Sequence, residues 1–485
     1  MSSITTTGGL VQGQHEQGYW TYKGVPYAQA DRYQPPQPVR WEGVFLADCF
    51  GEKATQDGCP PGGTPFRDDG IPYGEHCQNL NIYVPCVDPE AMPEGLPVLV
   101  DIHGGAFQRR FSYLGKHLGN GLLQGQSFIY VSLNYRLGAW GFLYLGELGE
   151  AYKYTGNLGI LDQIAALRWI QENITAFGGD SARVTVLGCS AGAHSIAGLM
   201  MAPAAAGLFS QAILSSGGIQ TMRSTAVAAD VTRQLMDYAG ISNAQDFFTM
   251  DNARLLAAQC ALCEGKGGGS GRIFGVVVDG VTIPQNWQER LMSGIAWQGN
   301  VMIGTARREY ADFDKIPDFR DRIDGVLKGL LWRDTDYAKT AYEQAACLNH
   351  PQTDAWEREA WCRVISDIMF RIPALRFAKA LAESGSRVWQ YSVEYMPATH
   401  GLDENSIWAT VGKLEAGQES VAQAMRRAYE AFVVQGSPEV PDIPWPMSYE
   451  TSGQGIIQRW DTPCRWEVIP EDEANTAFPD ALFGL

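Results

Sequence analysis

The stretch Val184–Met201, VTVLGCSAGAHSIAGLMM, decides how the chain is read. The mostly apolar run VTVL leads into Gly188-Cys189-Ser190-Ala191-Gly192, a G-x-S-x-G, and a helical pattern follows at once. A serine at such a strand-to-helix turn sits in strained backbone geometry that exposes its hydroxyl at the carboxyl edge of a sheet. Side chains at the flanking glycines would clash with the neighbouring strand and helix, and the helix start turns free amides and partial positive charge toward the same spot. A bare G-x-S-x-G arises readily by chance; its strand-turn-helix setting makes Ser190 a candidate nucleophile.

Upstream, the apolar run Leu96–Ile102 (LPVLVDI) ends in His103-Gly104-Gly105-Ala106-Phe107. Read alone, this is a tight Gly-Gly turn. Beside the serine turn it reads as an oxyanion hole, with the amides of Gly104 and Gly105 joining that of Ala191, the residue after the nucleophile.

Further out, Phe128–Leu133, Val184–Leu187, Val301–Ile303 and Arg387–Val393 read as buried strands. Gln163–Ile174 reads as a helix with Ile164, Leu167, Trp169 and Ile170 on its inward stripe. Such alternation predicts an α/β fold with a mostly parallel sheet covered on both faces. The first 40 residues, in short alternating pieces, predict an antiparallel edge. With no internal repeat and no long linker, residues 1–485 read as a single domain, with lid or pocket insertions around 59–75 and 221–300.

The net charge of -17 disfavours nucleic acid and anionic membrane surfaces as partners. No apolar run is long enough for a transmembrane helix. The opening MSSITTTGGLVQGQHEQ lacks a basic and an apolar leader segment, which read literally predicts a cytoplasmic protein; a leader already removed would leave the same picture. The chain has ten cysteines. Without a leader, reduced thiols are expected. Cys260 and Cys263 form a CxxC with no second Cys or His pair nearby, so they read as structural rather than as a zinc or redox site.

Many ordered segments resemble the type B carboxylesterase and cholinesterase-like family. YKGVPYA (22–28) with RYQPP, EHCQNLNIYV (75–84), NYRLGAWGFL (134–143), GNLGILD (156–162), NITAFGGD (173–180) and GSPEVPDIPWP (436–446) are similar to the family's landmarks, in its order. The resemblance implies the α/β-hydrolase fold, carboxylic ester hydrolysis through an acyl-enzyme, a small-molecule ester as substrate, and no metal or organic cofactor. It also supplies the two partners of Ser190. TARREYADF after VMIG is similar to the segment carrying the acid, five residues beyond Gly304, which implies Glu309. PATHGLDE after RVWQYSVEY is similar to the family's H-G segment, which implies His400 as base. The order Ser, Glu, His is the one this fold uses. Cys59 and Cys77 resemble a family disulfide, against the expectation of reduced thiols.

Three positions depart from the family pattern. Cys189 stands where Glu is usual, Asp403 stands where Glu follows the histidine, and QRRFSYLG replaces a Gly-rich continuation. A carboxylate network beneath the nucleophile is therefore expected to be absent or rebuilt, with Cys189 a small packed hydrophobe facing away from Ser190. An acyltransferase or a thioesterase would use the same residues, and catalytically silent binding relatives usually lose one of the three kept here. Acyl and alcohol specificity and oligomeric state are not readable. Trp408 is a candidate pocket wall, or core. Arg109 and Arg110 after the oxyanion segment, with Arg307 and Arg308 before Glu309, are either solvated surface charges or, for Arg109 or Arg110, ligands for a substrate carboxylate.

Overall fold

The computed structural model describes residues 3–57, 69–86, 93–115, 118–119, 121–265, 273–311, 319–320, 323, 327, 339–340, 353–410, 414–450 and 453–470. Eleven strands form one large sheet: β1 (Gln14–Glu16), β2 (Tyr19–Pro26), β3 (Asn79–Pro85), β4 (Leu96–Ile102), β5 (Ile129–Leu133), β6 (Gly179–Cys189), β7 (Gln211–Ser215), β8 (Asn300–Ala306), β9 (Arg387–Val393), β10 (Ile456–Trp460) and β11 (Arg465–Val468). Their spatial order is β11-β10-β9-β8-β7-β6-β4-β5-β3-β2-β1. Pairing is parallel from β10 through to β5 and antiparallel at both flanks. The expected antiparallel N-terminal edge is present as β1 and β2, with a small separate sheet formed by Ser3–Thr5, Leu10–Gln12 and Val44–Leu46.

The central strands are apolar nearly throughout because both faces are covered. Val98, Leu99, Val100, Val131, Val184 and Val186 are all fully buried. Even-numbered β4 residues such as Val98, Val100 and Ile102 join one core cluster, whereas Leu99 joins the cluster on the other face, as a two-residue side-chain period requires. Helices α1 (Leu158–Asn173) and α2 (Ala191–Met201) pack with the first cluster, and α8 (Ala416–Gln435) with the second. Between them in sequence come α3 (Thr225–Ala239), α4 (Asn252–Gly265), α5 (Asp354–Ser366), α6 (Ile372–Glu383) and α7 (Leu402–Trp408).

Several expected boundaries shift: Val301–Ile303 extends to Asn300–Ala306 and Phe128–Leu133 starts at Ile129. The strand read as Val184–Leu187 begins at Gly179, because Gly179 pairs with Leu96 of β4 across an irregularity that ends at Val184. The helix read from Gln163 begins at Leu158, inside the segment GNLGILD. Among the described residues no helix is long and apolar enough to cross a membrane.

The expected loop around 59–75 and its Cys59 fall largely outside the described residues; Cys77 is a fully buried free thiol. The CxxC lies on α4, where Cys263 donates to Gln108 Oε1 at 2.9 Å and both sulfurs are free thiols. The insertion expected at 221–300 contains α3 and α4, with residues 266–272 outside the described set.

A buried ion pair ties α1 to the loop after β5. Asp162 accepts from the Arg136 backbone N–H at 3.0 Å, from Nε at 2.8 Å and from Nη2 at 2.7 Å, with both side chains almost wholly buried. Removing one member strands the other charge in the core. Asp162→Ala is expected to lower unfolding stability by about 3–5 kcal/mol, read as a shift of the urea midpoint; a change below about 1 kcal/mol would show that water or a neighbour takes over the Arg136 charge.

Candidate active site

At the junction of β6 and α2, Ser190 has φ 57° and ψ −122°. Its N–H donates to the Ser215 carbonyl on β7 at 2.9 Å, and its own carbonyl accepts from His194 N–H at 2.9 Å. The turn is so tight that a Cβ on Gly192 would drive into the Ile102 carbonyl at the end of β4. Ala191 opens α2, so its amide has no partner within the helix.

The segment after β4 backs onto this turn: a Cβ on Gly104 would meet the Cys189 carbonyl. Gly105, Ala106 and Phe107 then take positive φ of 107°, 56° and 60°, folding the chain into a concave run of backbone that also lines the cavity. Tyr135 fixes the approach, donating from its hydroxyl to the His103 carbonyl at 2.7 Å and stacking on the His103 ring.

Glu309 and His400 come from the carboxyl ends of β8 and β9. Glu309 is buried, its Oε1 accepting from Ala306 N–H at 2.7 Å and its Oε2 lying 2.6 Å from His400 Nδ1. Their two loops are stitched together by Arg308 N–H donating to the Ala398 carbonyl at 2.8 Å. Phe370 packs against the imidazole, ring centroids 4.9 Å apart. Ser190, Glu309 and His400 all line one cavity of ≈ 570 Å³, with Gly105, Ala191, Phe274, Met369 and Phe370 among its other walls.

A second polar layer lies behind the histidine segment. Asp403, wholly buried in the first turn of α7, accepts from Ser215 Oγ at 2.5 Å, Tyr391 OH at 2.6 Å and, through Oδ1, Glu404 N–H at 2.8 Å. Tyr429 OH extends the chain to Tyr391 at 3.1 Å. Burial pushes the Asp403 carboxyl above its ordinary value, with the Glu309 charge acting in the same direction and the hydroxyl donors opposing. The carboxylate network is thus rebuilt around Asp403. Cys189 is 6% exposed; burial, then the Glu404 and Asp403 charges, push its thiol well above its ordinary value, so it stays protonated. It packs as a small neutral side chain but also forms part of the cavity wall.

The remaining candidates divide. Arg109, Arg110 and Arg308 line the cavity. Arg307 does not; it is exposed and lies 3.8 Å from Glu394. Trp408 is corrected to a core residue: it is 7% exposed, packs against Tyr130 with centroids 5.4 Å apart, and is absent from the wall that Ser190 shares. Its place in α7 turns it away, down onto the second core cluster. Sequence reading missed Met369 and Phe370, which reach the cavity from a π-helical turn, Asp367–Arg371, that carries no distinctive sequence signature. Glu404 was also missed, although it lies only four residues beyond His400.

Residues 1–465 match the Carboxylesterase family. The chain belongs to that family. It is 32% identical over 503 residues to the para-nitrobenzyl esterase of Bacillus subtilis, covering 97% of each chain, and 30% identical to the phenmedipham hydrolase of Pseudarthrobacter oxydans, covering 91% of this chain and 92% of that one. Among solved structures, a Geobacillus stearothermophilus carboxylesterase superposes with a TM-score of 0.82 at 30% identity over 100% of both chains. A para-nitrobenzyl esterase structure gives 0.81 at 31% identity, covering 97% and 98%. The fold is that of the α/β-hydrolases, and the protein is a serine hydrolase of carboxylic esters.

Asp403→Ala leaves the Ser215 and Tyr391 hydroxyls without their acceptor and is expected to cost about 2–4 kcal/mol of stability. Asp403→Asn keeps the shape, and its amide donates to hydroxyl oxygens free to rotate, so it costs less. The two carboxyl forms also differ with pH. A folded value raised above the unfolded one means the native state binds the proton more tightly, so this contribution is full below about pH 4 and is lost as pH rises through the folded value. Urea midpoints measured against pH should therefore fall less steeply in Asp403→Asn than in wild type; parallel curves would show that folding leaves the Asp403 carboxyl unshifted.

Proposed function

We propose that Ser190 is the nucleophile, His400 the base and Glu309 the acid that orients it, with Gly104, Gly105 and Ala191 amides as the oxyanion hole. The observation that carries this is the 2.6 Å contact between His400 Nδ1 and Glu309 Oε2, on the same cavity wall as Ser190. A carboxylate on Nδ1 keeps the proton there, so Nε2 carries the lone pair a base needs.

In this reading Nε2 takes the Ser190 proton as Oγ attacks the ester carbonyl. The carbonyl electron pair moves to oxygen, which the amides stabilise. The tetrahedral species collapses by breaking the bond between acyl carbon and alcohol oxygen, and the imidazolium returns its proton to the departing alcohol. Water then repeats the sequence on the acyl-enzyme, releasing the acid and restoring Ser190. Glu309 stabilises the imidazolium in both halves, while its other oxygen is held by the Ala306 amide. The substrate is a small-molecule ester that fits a cavity of ≈ 570 Å³ with aromatic and thioether walls at Phe274, Met369 and Phe370.

Ser190→Ala is expected to reduce kcat on para-nitrophenyl esters by about a millionfold with the circular dichroism spectrum unchanged. His400→Ala should fall comparably, and Glu309→Gln less. Phosphonate labelling followed by peptide mapping gives the independent check: the adduct belongs on Ser190, and an adduct on another serine would overturn the assignment.

A further inference from the structure

Three guanidinium side chains, Arg109, Arg110 and Arg308, line the cavity of a chain whose net charge is -17. They are not equivalent. Arg308 pairs with Glu359 at 2.7 Å and is mostly buried. Arg110 is built into the site from both sides. Its backbone is locked by Gln56, which accepts from its N–H at 2.7 Å and donates to its carbonyl at 2.9 Å, and its φ is 79°. Its stem runs past Gly105, where a Cβ would stand 3.1 Å from Arg110 Cγ. At the far end, Nη1 donates to Glu404 Oε2 at 2.9 Å.

The guanidinium therefore spans from the segment carrying Gly104 and Gly105 to the helix that begins just after His400. Glu404 is its only hydrogen-bond partner among the described residues, and it uses one nitrogen of the fork. The Arg110 side chain remains 39% exposed. A rigid fork fastened at one corner, with its other N–H groups facing a cavity, has the geometry that pairs with a planar carboxylate through two parallel hydrogen bonds. Phe274, Met369 and Phe370 give the same cavity apolar walls, so it offers hydrocarbon surface as well as a group that pairs with an anion.

Resting on the ester-hydrolase reading above, we propose that the enzyme selects esters that carry a second, free carboxylate, and that Arg110 reads it while Glu404 holds Arg110 in position. The carboxylate can belong to the acyl part, as in a hemiester of a dicarboxylic acid, or to the alcohol part, as in an acyloxy acid. The reaction is unchanged: one ester bond breaks, and the free carboxylate emerges as it entered.

The test compares kcat/KM within matched pairs. The para-nitrophenyl hemiester of glutaric acid against its methyl diester probes the acyl side, and para-acetoxybenzoate against its methyl ester probes the alcohol side. The expected result is a preference of about tenfold for the charged member of one pair, the scale of a charge-assisted hydrogen bond. That ratio should fall to about one in Arg110→Gln and be partly kept in Arg110→Lys, which retains charge without the fork. Because each ratio is taken within one variant, a general loss of turnover cancels. If Arg110→Gln does not fold with Glu404 left unpaired, the double variant Arg110→Gln/Glu404→Gln removes both charges and gives the same reading. Ratios near one in wild type for both pairs would overturn the proposal while leaving ester hydrolysis itself standing. A preference that survives Arg110→Gln and vanishes in Arg109→Gln would overturn the assignment to Arg110.

Discussion

Everything in the site depends on one backbone conformation, the left-handed turn at Ser190. A non-glycine residue there costs about 1–3 kcal/mol, and it persists because neighbours on three sides hold it. The β7 strand takes the Ser190 amide, the first turn of α2 takes its carbonyl, and the end of β4 presses against Gly192. The same packing brings the Gly104 segment onto the Cys189 carbonyl. Ser190 and the surrounding amides are therefore set by the pairing of β4, β6 and β7.

The imidazole is positioned differently. His400 stands on a loop, and what fixes it is a chain of buried polar contacts. Glu309 orients Nδ1, the Arg308 amide ties the two loops together, and Asp403 anchors the start of α7 to Ser215 at the end of β7. Ser215 thus serves two masters: its carbonyl receives the Ser190 amide and its hydroxyl donates to Asp403. One residue links the Ser190 turn to the helix that follows His400.

How far the sequence carried depended on whether local pattern or tertiary packing decides the feature. Leu96–Ile102 and Arg387–Val393 were readable to the residue because buried parallel strands are short apolar runs between turn signals. The serine turn was readable because its glycines are sterically compelled. Glu309 and His400 were a different matter: nothing in their immediate spacing distinguishes them, and it took the family resemblance to name them. The strand through Gly179 was under-read because its polar first half pairs irregularly. Trp408 illustrates the same limit, since an aromatic residue eight places after the histidine lies on either face of a short helix until packing decides. Phe370 reaches the imidazole from a π turn.

The departures from the family pattern make physical sense together. A glutamate at position 189 would add a buried carboxylate beside Ser190, where under the proposed mechanism negative charge develops on the substrate oxygen. With Cys189 the position is occupied by a thiol that burial keeps neutral. A carboxylate still comes close, since a Cβ on Gly401 would stand 3.9 Å from both Cys189 Sγ and Glu404 Oε2. It comes with its own counter-ion, Arg110, at 2.9 Å. A paired carboxylate presents a dipole rather than a net charge, so its field at the oxyanion falls off faster than that of a lone ion. The loop QRRFSYLG supplies that cation, so two of the departures, Cys189 and this loop, meet at one place in the cavity wall.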